Sequence, residues 1–333
     1  MEKLVSILIP SYNAEKWIKQ AIDSALAQTW PNKEIIIVDD GSRDNSLQIG
    51  KRYESGNVKV ISQKNCGAAA ARNRAYMEAQ GGYIQWLDAD DLLAPDKISR
   101  QINASEYEEN SRILLSSAFG LFYYRTRNAR FIPTALWADL KPVDWIIKKF
   151  NENAWMNPGV WLVSRKLAEL AGPWDERLSL DDDGEYFSRV VVASDNIRFV
   201  SGAKCYYRIS NPKSYSKDIS ERACESLFLS INLCIGYLRS LEDTERTRSA
   251  CLNFLRTYLF YFYPEHTEIL TKAKNLANEL GGELNPPILK RKYDMMRKIL
   301  GWKRTKIEMN RIPMIKELVR SNWDKFLYTL SVD

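Results

Sequence analysis

Residues 83–97 read YIQWLDADDLLAPDK. An apolar run climbs to Leu87 and then meets Asp88, Asp90 and Asp91 within four positions, with Asp96 just beyond Pro95. Carboxylates this close repel one another and do not sit beside a buried strand without compensation. A hard divalent cation, Mg²⁺ or Mn²⁺, supplies it: such ions take oxygen ligands, and Mg²⁺ usually rests on one or two protein carboxylates plus substrate phosphates. At positions i and i+2, one carboxylate can face the metal and the other a ribose hydroxyl or an ordered water. A solvated acidic loop capping a helix at Asp96 is the plainer reading of the same residues.

Other chemistries are poorly supplied. The only histidine, His266, lies in a Tyr/Phe-rich helical segment, which argues against a Ser-His-Asp hydrolase or a histidine-rich metal centre. The five cysteines (Cys66, Cys205, Cys224, Cys234 and Cys251) are scattered and form no CxxC pair, as expected for reduced thiols and no zinc site. Met1-Glu2-Lys3 leads directly into VSILIP, too short for a signal or a span, and nowhere do about 18 apolar residues run uninterrupted. A folded protein of about two domains, cytoplasmic and membrane-associated at most at the inner face, is the expectation from 333 residues with 45% hydrophobic and 27% charged content.

The first hundred residues must position the acids, and they alternate strand and helix signals. Strands are predicted at 5–10, 33–40, 58–63 and 83–87, and helices at 14–28, within 41–55 and at 67–80. That alternation implies a mostly parallel, Rossmann-like α/β sheet flanked by helices. Ligands in such sheets sit outside the carboxyl ends of the strands. Ser11, Tyr12 and Asn13 follow the first strand, Asp39 and Asp40 the second, and Asp88 to Asp91 the fourth, so three polar clusters converge on one edge. Beyond, a helix is predicted near 96–109, strands at 113–124, 159–164 and 196–209, and a helix at 166–172. From about 219 the signal is helical to the end.

The segment VSILIPSYNAEKWIKQAIDSALAQTWPNKEIIIVDDGSRDNS resembles the opening of the family 2 glycosyltransferases, and the likeness continues through KNCGAAAARNRA, YIQWLDADDLLAPDK and GPWDERLSLDDDGEYFSR. Four motifs in order over roughly residues 3–210 make this far more specific than a lone DxD. The resemblance implies a GT-A fold, a nucleoside-diphosphate sugar donor, UDP-linked by family habit, and inversion at the anomeric carbon. It divides the chain into a catalytic domain over 1–218 (nucleotide-binding half 1–100, acceptor-side half 101–218) and an all-helical, basic extension over 219–333.

Carried over residue by residue, the resemblance has Pro10, Ser11 and Tyr12 lining the base pocket, with the Tyr12 ring stacked on the base. Asp40 would accept from a uracil-type N–H while Asp39 supports the loop. Arg72 and Asn73 would bind the donor near base and diphosphate, Asp88 the ribose, and Asp90 the metal. Asp182 and Asp183 match the acceptor-side acidic pair, with Asp183 the general base that takes the proton from the acceptor hydroxyl. Trp155 and Trp174 are candidate acceptor walls or core residues. One family feature is missing: CYYRISNPKSYSKD (205–218) lacks the histidine that some relatives use as a metal ligand, leaving Tyr207, Arg208, Ser214 or Ser216 to meet the diphosphate, the arginine foremost.

Residues 284–333 hold 12 Lys/Arg against 5 Asp/Glu, so the excess charge of the whole chain, +6, resides there. Such a basic, aromatic-bearing tail suits either an anionic leaflet, near a lipid-linked glycan acceptor of cell-surface polysaccharide or glycolipid assembly, or packing and homodimer formation. With no broad basic surface elsewhere, nucleic acid is not an expected partner. Two rival functions remain at this level. A DxD phosphohydrolase or phosphotransferase would leave Tyr12, Asp39 and Asp40 unexplained, and a non-catalytic sugar-nucleotide-binding protein would not need Asp183.

Overall fold

The computed structural model describes residues 3–105, 112–209 and 220–330. Its strands in chain order are β1 (Val5–Ser11), β2 (Lys33–Asp39), β3 (Val58–Ser62), β4 (Tyr83–Trp86), β5 (Leu92–Leu93), β6 (Ile113–Phe122), β7 (Arg130–Phe131), β8 (Val163–Ser164) and β9 (Asn196–Arg208). The helices are α1 (Ile18–Leu26), α2 (Ser46–Lys51), α3 (Ala68–Glu78), α4 (Lys97–Ser105), α5 (Pro142–Glu152), α6 (Arg165–Ala171), α7 (Asp182–Ala193), α8 (Glu221–Leu241), α9 (Glu245–Phe262), α10 (Thr267–Glu279) and α11 (Arg291–Thr329).

The first sheet runs β3-β2-β1-β4-β8, parallel except for β8. β1 lies at its centre and is apolar on both faces, as a parallel strand covered by helices must be. α1 begins at Ile18, four residues later than the apolar spacing suggests. Residues 14 and 15 donate their backbone N–H groups to Ser46 Oγ (2.7 Å) and Asp44 Oδ2 (3.0 Å), which holds that stretch as a turn.

A second sheet, β5-β9-β6-β7, was not anticipated from the sequence. β6 and β9 pair in parallel, and the short β5 pairs antiparallel with β9 through Leu92–Tyr206 and Leu93–Cys205. The acidic cluster therefore lies in the turn that passes from the first sheet to the second. Gly120 is required where β6 meets β7, because a Cβ there would strike the Phe131 ring. The strand expected at 159–164 begins in a 3-10 turn, Pro158–Val160, and is reduced to an isolated bridge at Leu162 and the two-residue β8. α5 was missed, although Pro142 at its first turn and the left-handed Asn153 at its end mark it well.

The helical extension packs onto the catalytic half: Phe254 of α9 stacks on Phe150 of α5 with ring centres 3.9 Å apart. α11 bends at Gly301, whose φ of 75° suits glycine. Its last turns return to the catalytic half, where Asp324 and Tyr328 meet Arg125, just beyond β6, and Gln20 of α1. No described helix is long and apolar enough to cross a membrane.

Candidate active site

The strand tips bring the expected polar residues to one edge. Ser11 ends β1, and Tyr12, half-buried, and Pro10 flank it. The Ser11 hydroxyl is buried without a hydrogen-bond partner among the described residues. At the end of β2, both acids are buried. Asp40 Oδ1 accepts from Gln63 Nε2 (2.7 Å) and Cys66 N (2.9 Å), and Oδ2 accepts from Gly67 N (2.8 Å). The carboxylate thus closes the loop before α3 and faces the positive end of that helix. The Asp39 carboxylate accepts from Ser42 N (3.1 Å), and its Oδ1 is buried without a partner among the described residues. Asp40 thus braces the loop, the part expected of Asp39, and Asp39 keeps an oxygen to spare.

α3 delivers Arg72 into the middle of the acids. Its Nη2 donates to Asp88 Oδ1 (2.9 Å), its Nη1 donates to Asp182 Oδ2 (2.6 Å), and the guanidinium lies over the Trp174 ring at 4.3 Å. Burial works against its charge, yet the charges of Asp182 and Asp88 raise its pKa above the ordinary arginine value. Both forks of Arg72 are committed to protein carboxylates, so it organises the site. Asn73 is committed too: it donates to Trp174 O (3.0 Å) and Glu176 Oε1 (2.9 Å) and accepts from Trp174 N (2.8 Å). It fastens the 174–176 loop. Trp174 is a core residue rather than an acceptor wall, stacked on Tyr186 at 4.0 Å.

The three acids after β4 have separate surroundings. Asp88 is held by Arg72. Asp91 is buried and accepts from Arg208 N (2.9 Å) and Asn157 Nδ2 (3.1 Å). Asp90 meets no cationic side chain at ion-pair distance among the described residues. Burial, and then the charge of Asp88, push its pKa up to about 6. Arg208 donates Nε to Asp90 O (2.7 Å), Nη1 to Tyr123 O (2.9 Å) and Nη2 to Gln20 Oε1 (2.7 Å), and its guanidinium lies between Trp17 and Phe122. It shapes the acidic turn, and each of its three nitrogens already has one protein acceptor. Ser214 and Ser216 lie outside the described residues.

A divalent cation fits this turn. Two of the three acids are taken up by protein donors, and the third, Asp90, is a half-buried carboxylate whose charge a cation would relieve. No cluster of three or more acidic, histidine or cysteine ligands exists among the described residues. That donor set suits an ion held by few carboxylates and completed by phosphate oxygens and water.

The second acidic run opens α7. Asp181 takes a left-handed φ of 60° and its Oδ2 accepts from Ser230 Oγ (2.6 Å) of α8. Asp182 pairs with Arg72. Among the described residues the Asp183 carboxylate accepts only from its neighbour Gly184 N (2.9 Å). Burial, then the charges of Asp182 and Asp181, push the Asp183 pKa up to about 7. A carboxylate so tuned can take a proton near neutral pH. Lys149 was missed from the sequence; its Nζ donates to Gly184 O (2.8 Å) and Ser188 Oγ (3.1 Å), holding the first turn of α7 in place. Its signal was a lysine on the buried face of an amphipathic segment. Beyond the acids, Trp155 is 46% exposed and packs edge-on against Tyr207 with centres 5.0 Å apart, leaving an aromatic face open.

Comparison with known proteins agrees with this geometry. Residues 6–158 match the sequence model of Glycosyl transferase family 2. Glycosyltransferase RT0329 of Rickettsia typhi, itself uncharacterized, is 37% identical over 129 residues, which is 39% of this chain and 40% of that protein. The match therefore spans well under two thirds of that relative. Glycosyltransferase GlyG of Streptococcus pneumoniae is 28% identical over 300 residues, covering 78% of this chain and 97% of that one. Among solved structures, S. aureus TarS 1–349 in complex with UDP-GlcNAc superposes with a TM-score of 0.63 at 19% identity, over 83% of this chain and 80% of that one. The mannosyltransferase PcManGT from Pyrobaculum calidifontis, in complex with GDP-Man and Mn²⁺, gives 0.55 at 18% identity, over 98% and 88%.

Proposed function

We propose that this chain of GT-A fold acts as a family 2 glycosyltransferase and transfers a sugar, with inversion, from a UDP-linked donor to an acceptor hydroxyl. The observation that carries the reading is Asp183. It is a half-buried carboxylate with its pKa raised to about 7, set one residue from Asp182, which Arg72 ties to Asp88.

In this reading the base stacks on Tyr12 beside Pro10 and Ser11, and the spare oxygen of Asp39 accepts from the base N–H. Asp88 meets the ribose, and Asp90 would hold Mn²⁺ or Mg²⁺. A bound ion would supply Lewis-acid relief of the charge on the departing diphosphate. Asp183 accepts the proton as the acceptor oxygen bonds to the anomeric carbon and the bond from that carbon to phosphate oxygen breaks. An attack from the face opposite the leaving group inverts the centre. Trp155 offers its open ring to the acceptor, a carbohydrate or a lipid-linked glycan. A cytoplasmic role in cell-surface polysaccharide or glycolipid assembly is consistent with such an acceptor. The structures with UDP-GlcNAc and GDP-Man belong to other proteins and support the donor class.

The test is to incubate the protein with a panel of sugar nucleotides and Mn²⁺ and follow release of nucleoside diphosphate. One donor should turn over, and Asp183→Ala should bind that donor with unchanged affinity yet transfer nothing. Unchanged transfer by the variant would remove the assigned base, and binding without any turnover by the native chain would make it a sugar-nucleotide-binding protein.

A further inference from the structure

The last turns of α11 carry their polar and apolar faces the wrong way round for a helix that only packs on its own protein. The polar face is turned inward. Glu317 Oε2 accepts from the Tyr123 hydroxyl (2.6 Å), Ser321 is buried, Asp324 holds Arg125, and the Tyr328 hydroxyl accepts from Gln20 Nε2 (3.4 Å). These positions recur at intervals of three and four residues and so form one stripe. The opposite stripe is apolar and points away from the protein: Ile315, Leu318, Val319, Trp323, Phe326 and Leu330 are each 48–64% exposed. A contiguous apolar stripe left open to water marks a surface that something covers.

Charge decides between occupants. α11 holds 11 Lys/Arg against 4 Asp/Glu. Each of the acids already has a partner: Asp294 pairs with Arg297, Glu308 with Arg311, Glu317 bonds Tyr123 and Asp324 pairs with Arg125. At about 100° per residue, Arg320 and Lys325 fall on the two borders of the apolar stripe. An apolar strip with aromatic rings and cationic borders suits an anionic lipid surface, whose acyl boundary takes the rings while headgroups take the cations. A second copy would bring two strongly cationic helices together. We propose that this stripe docks in the plane of an anionic lipid bilayer. Trp323 and Phe326 enter the headgroup boundary, and Arg320 and Lys325 meet the headgroups.

The test uses the full chain and is independent of sugar transfer. Flotation is measured with vesicles of phosphatidylcholine alone and with vesicles doped with phosphatidylglycerol. The native chain should float with the doped vesicles, and binding should weaken as salt rises. Val319→Asp with Phe326→Asp should weaken it by about tenfold or more. Arg320→Glu and Lys325→Glu should each weaken it by about fivefold. All these side chains project into water, so the melting temperature and donor binding of the variants should match the native chain. Equal binding to both vesicle types, or none to either, would overturn the proposal. So would a dimer in sedimentation that Val319→Asp with Phe326→Asp dissociates while the native chain ignores vesicles.

Discussion

Asp88 at the tip of β4 and Asp182 in the first turn of α7 are bound to the two terminal nitrogens of one arginine, Arg72, at 2.9 and 2.6 Å. The chain so joins the acids after β4 to those that open α7 through a single buried cation. Arg72→Met should leave two partly buried carboxylates facing each other uncompensated. Loss of one member of a buried ion pair typically costs about 3–5 kcal/mol. Urea unfolding should show a loss of that order. Arg72→Lys, which keeps the charge but lacks the fork, should unfold nearer the native midpoint and still turn over about 100-fold more slowly. Native turnover in the lysine variant would show that the fork does not set the distance between the acids.

Asp183 should govern the pH profile. With its pKa raised to about 7 by burial and by its acidic neighbours, the base form accumulates only above that value. Turnover should rise with pH through about 7 and then level. Stability should move the opposite way. The folded state holds this proton more tightly than an ordinary aspartate with a pKa of 3.8 does, so stability falls as pH climbs from 3.8 to about 7. Asp183→Asn removes the half-buried charge. It should melt with the native chain near pH 4 and gain on the order of 2 kcal/mol over it by pH 8. A variant whose advantage does not grow with pH would show that Asp183 is not the strained carboxylate.

Asp90 and Asp91 adjoin in sequence but should fail differently. Asp90→Asn should lower Mn²⁺-supported affinity for UDP by about 100-fold, read by calorimetry, with little change in melting temperature. Asp91 accepts from Arg208 N and Asn157 Nδ2 inside the fold, so Asp91→Asn should lower the melting temperature first. Undiminished binding in the Asp90 variant would refute the metal role.

These contrasts show what the sequence could and could not carry. The sheet edge was legible because β1, β2 and β4 each end an apolar run in polar residues, and a parallel sheet gathers such ends. The second sheet was not, because β5 is two residues long and its partner β9 lies more than a hundred positions away. Side-chain commitments were illegible for the same reason. Nothing local to Asn73 predicts that it fastens Trp174, and nothing local to Asp40 predicts the N–H groups of Cys66 and Gly67. Motif resemblance located these residues at the site, and only the fold distinguishes those that brace it from those with an oxygen to spare.

The end of α11 reaches the acidic turn through a chain of side chains, and Asp324 is its anchor. Its Oδ2 accepts from the backbone N–H groups of Tyr124 (2.9 Å) and Arg125 (3.1 Å), and its Oδ1 accepts from Arg125 Nε (2.8 Å) and Asn128 Nδ2 (3.2 Å). One turn further, Tyr328 meets Gln20, which accepts from Arg208, which in turn holds Asp90 O. Asp324→Ala leaves these donors without their acceptor, and about 2–4 kcal/mol of local stability should go with it. Amide exchange should accelerate over residues 318–330 while the strands of the first sheet stay protected. Because Gln20 then loses one of its neighbours, Mn²⁺-supported UDP affinity should fall severalfold, far less than in Asp90→Asn. Native exchange rates in the variant would show that the helix end is held by other contacts, and unchanged nucleotide affinity alongside faster exchange would break the link between the helix and the acidic turn.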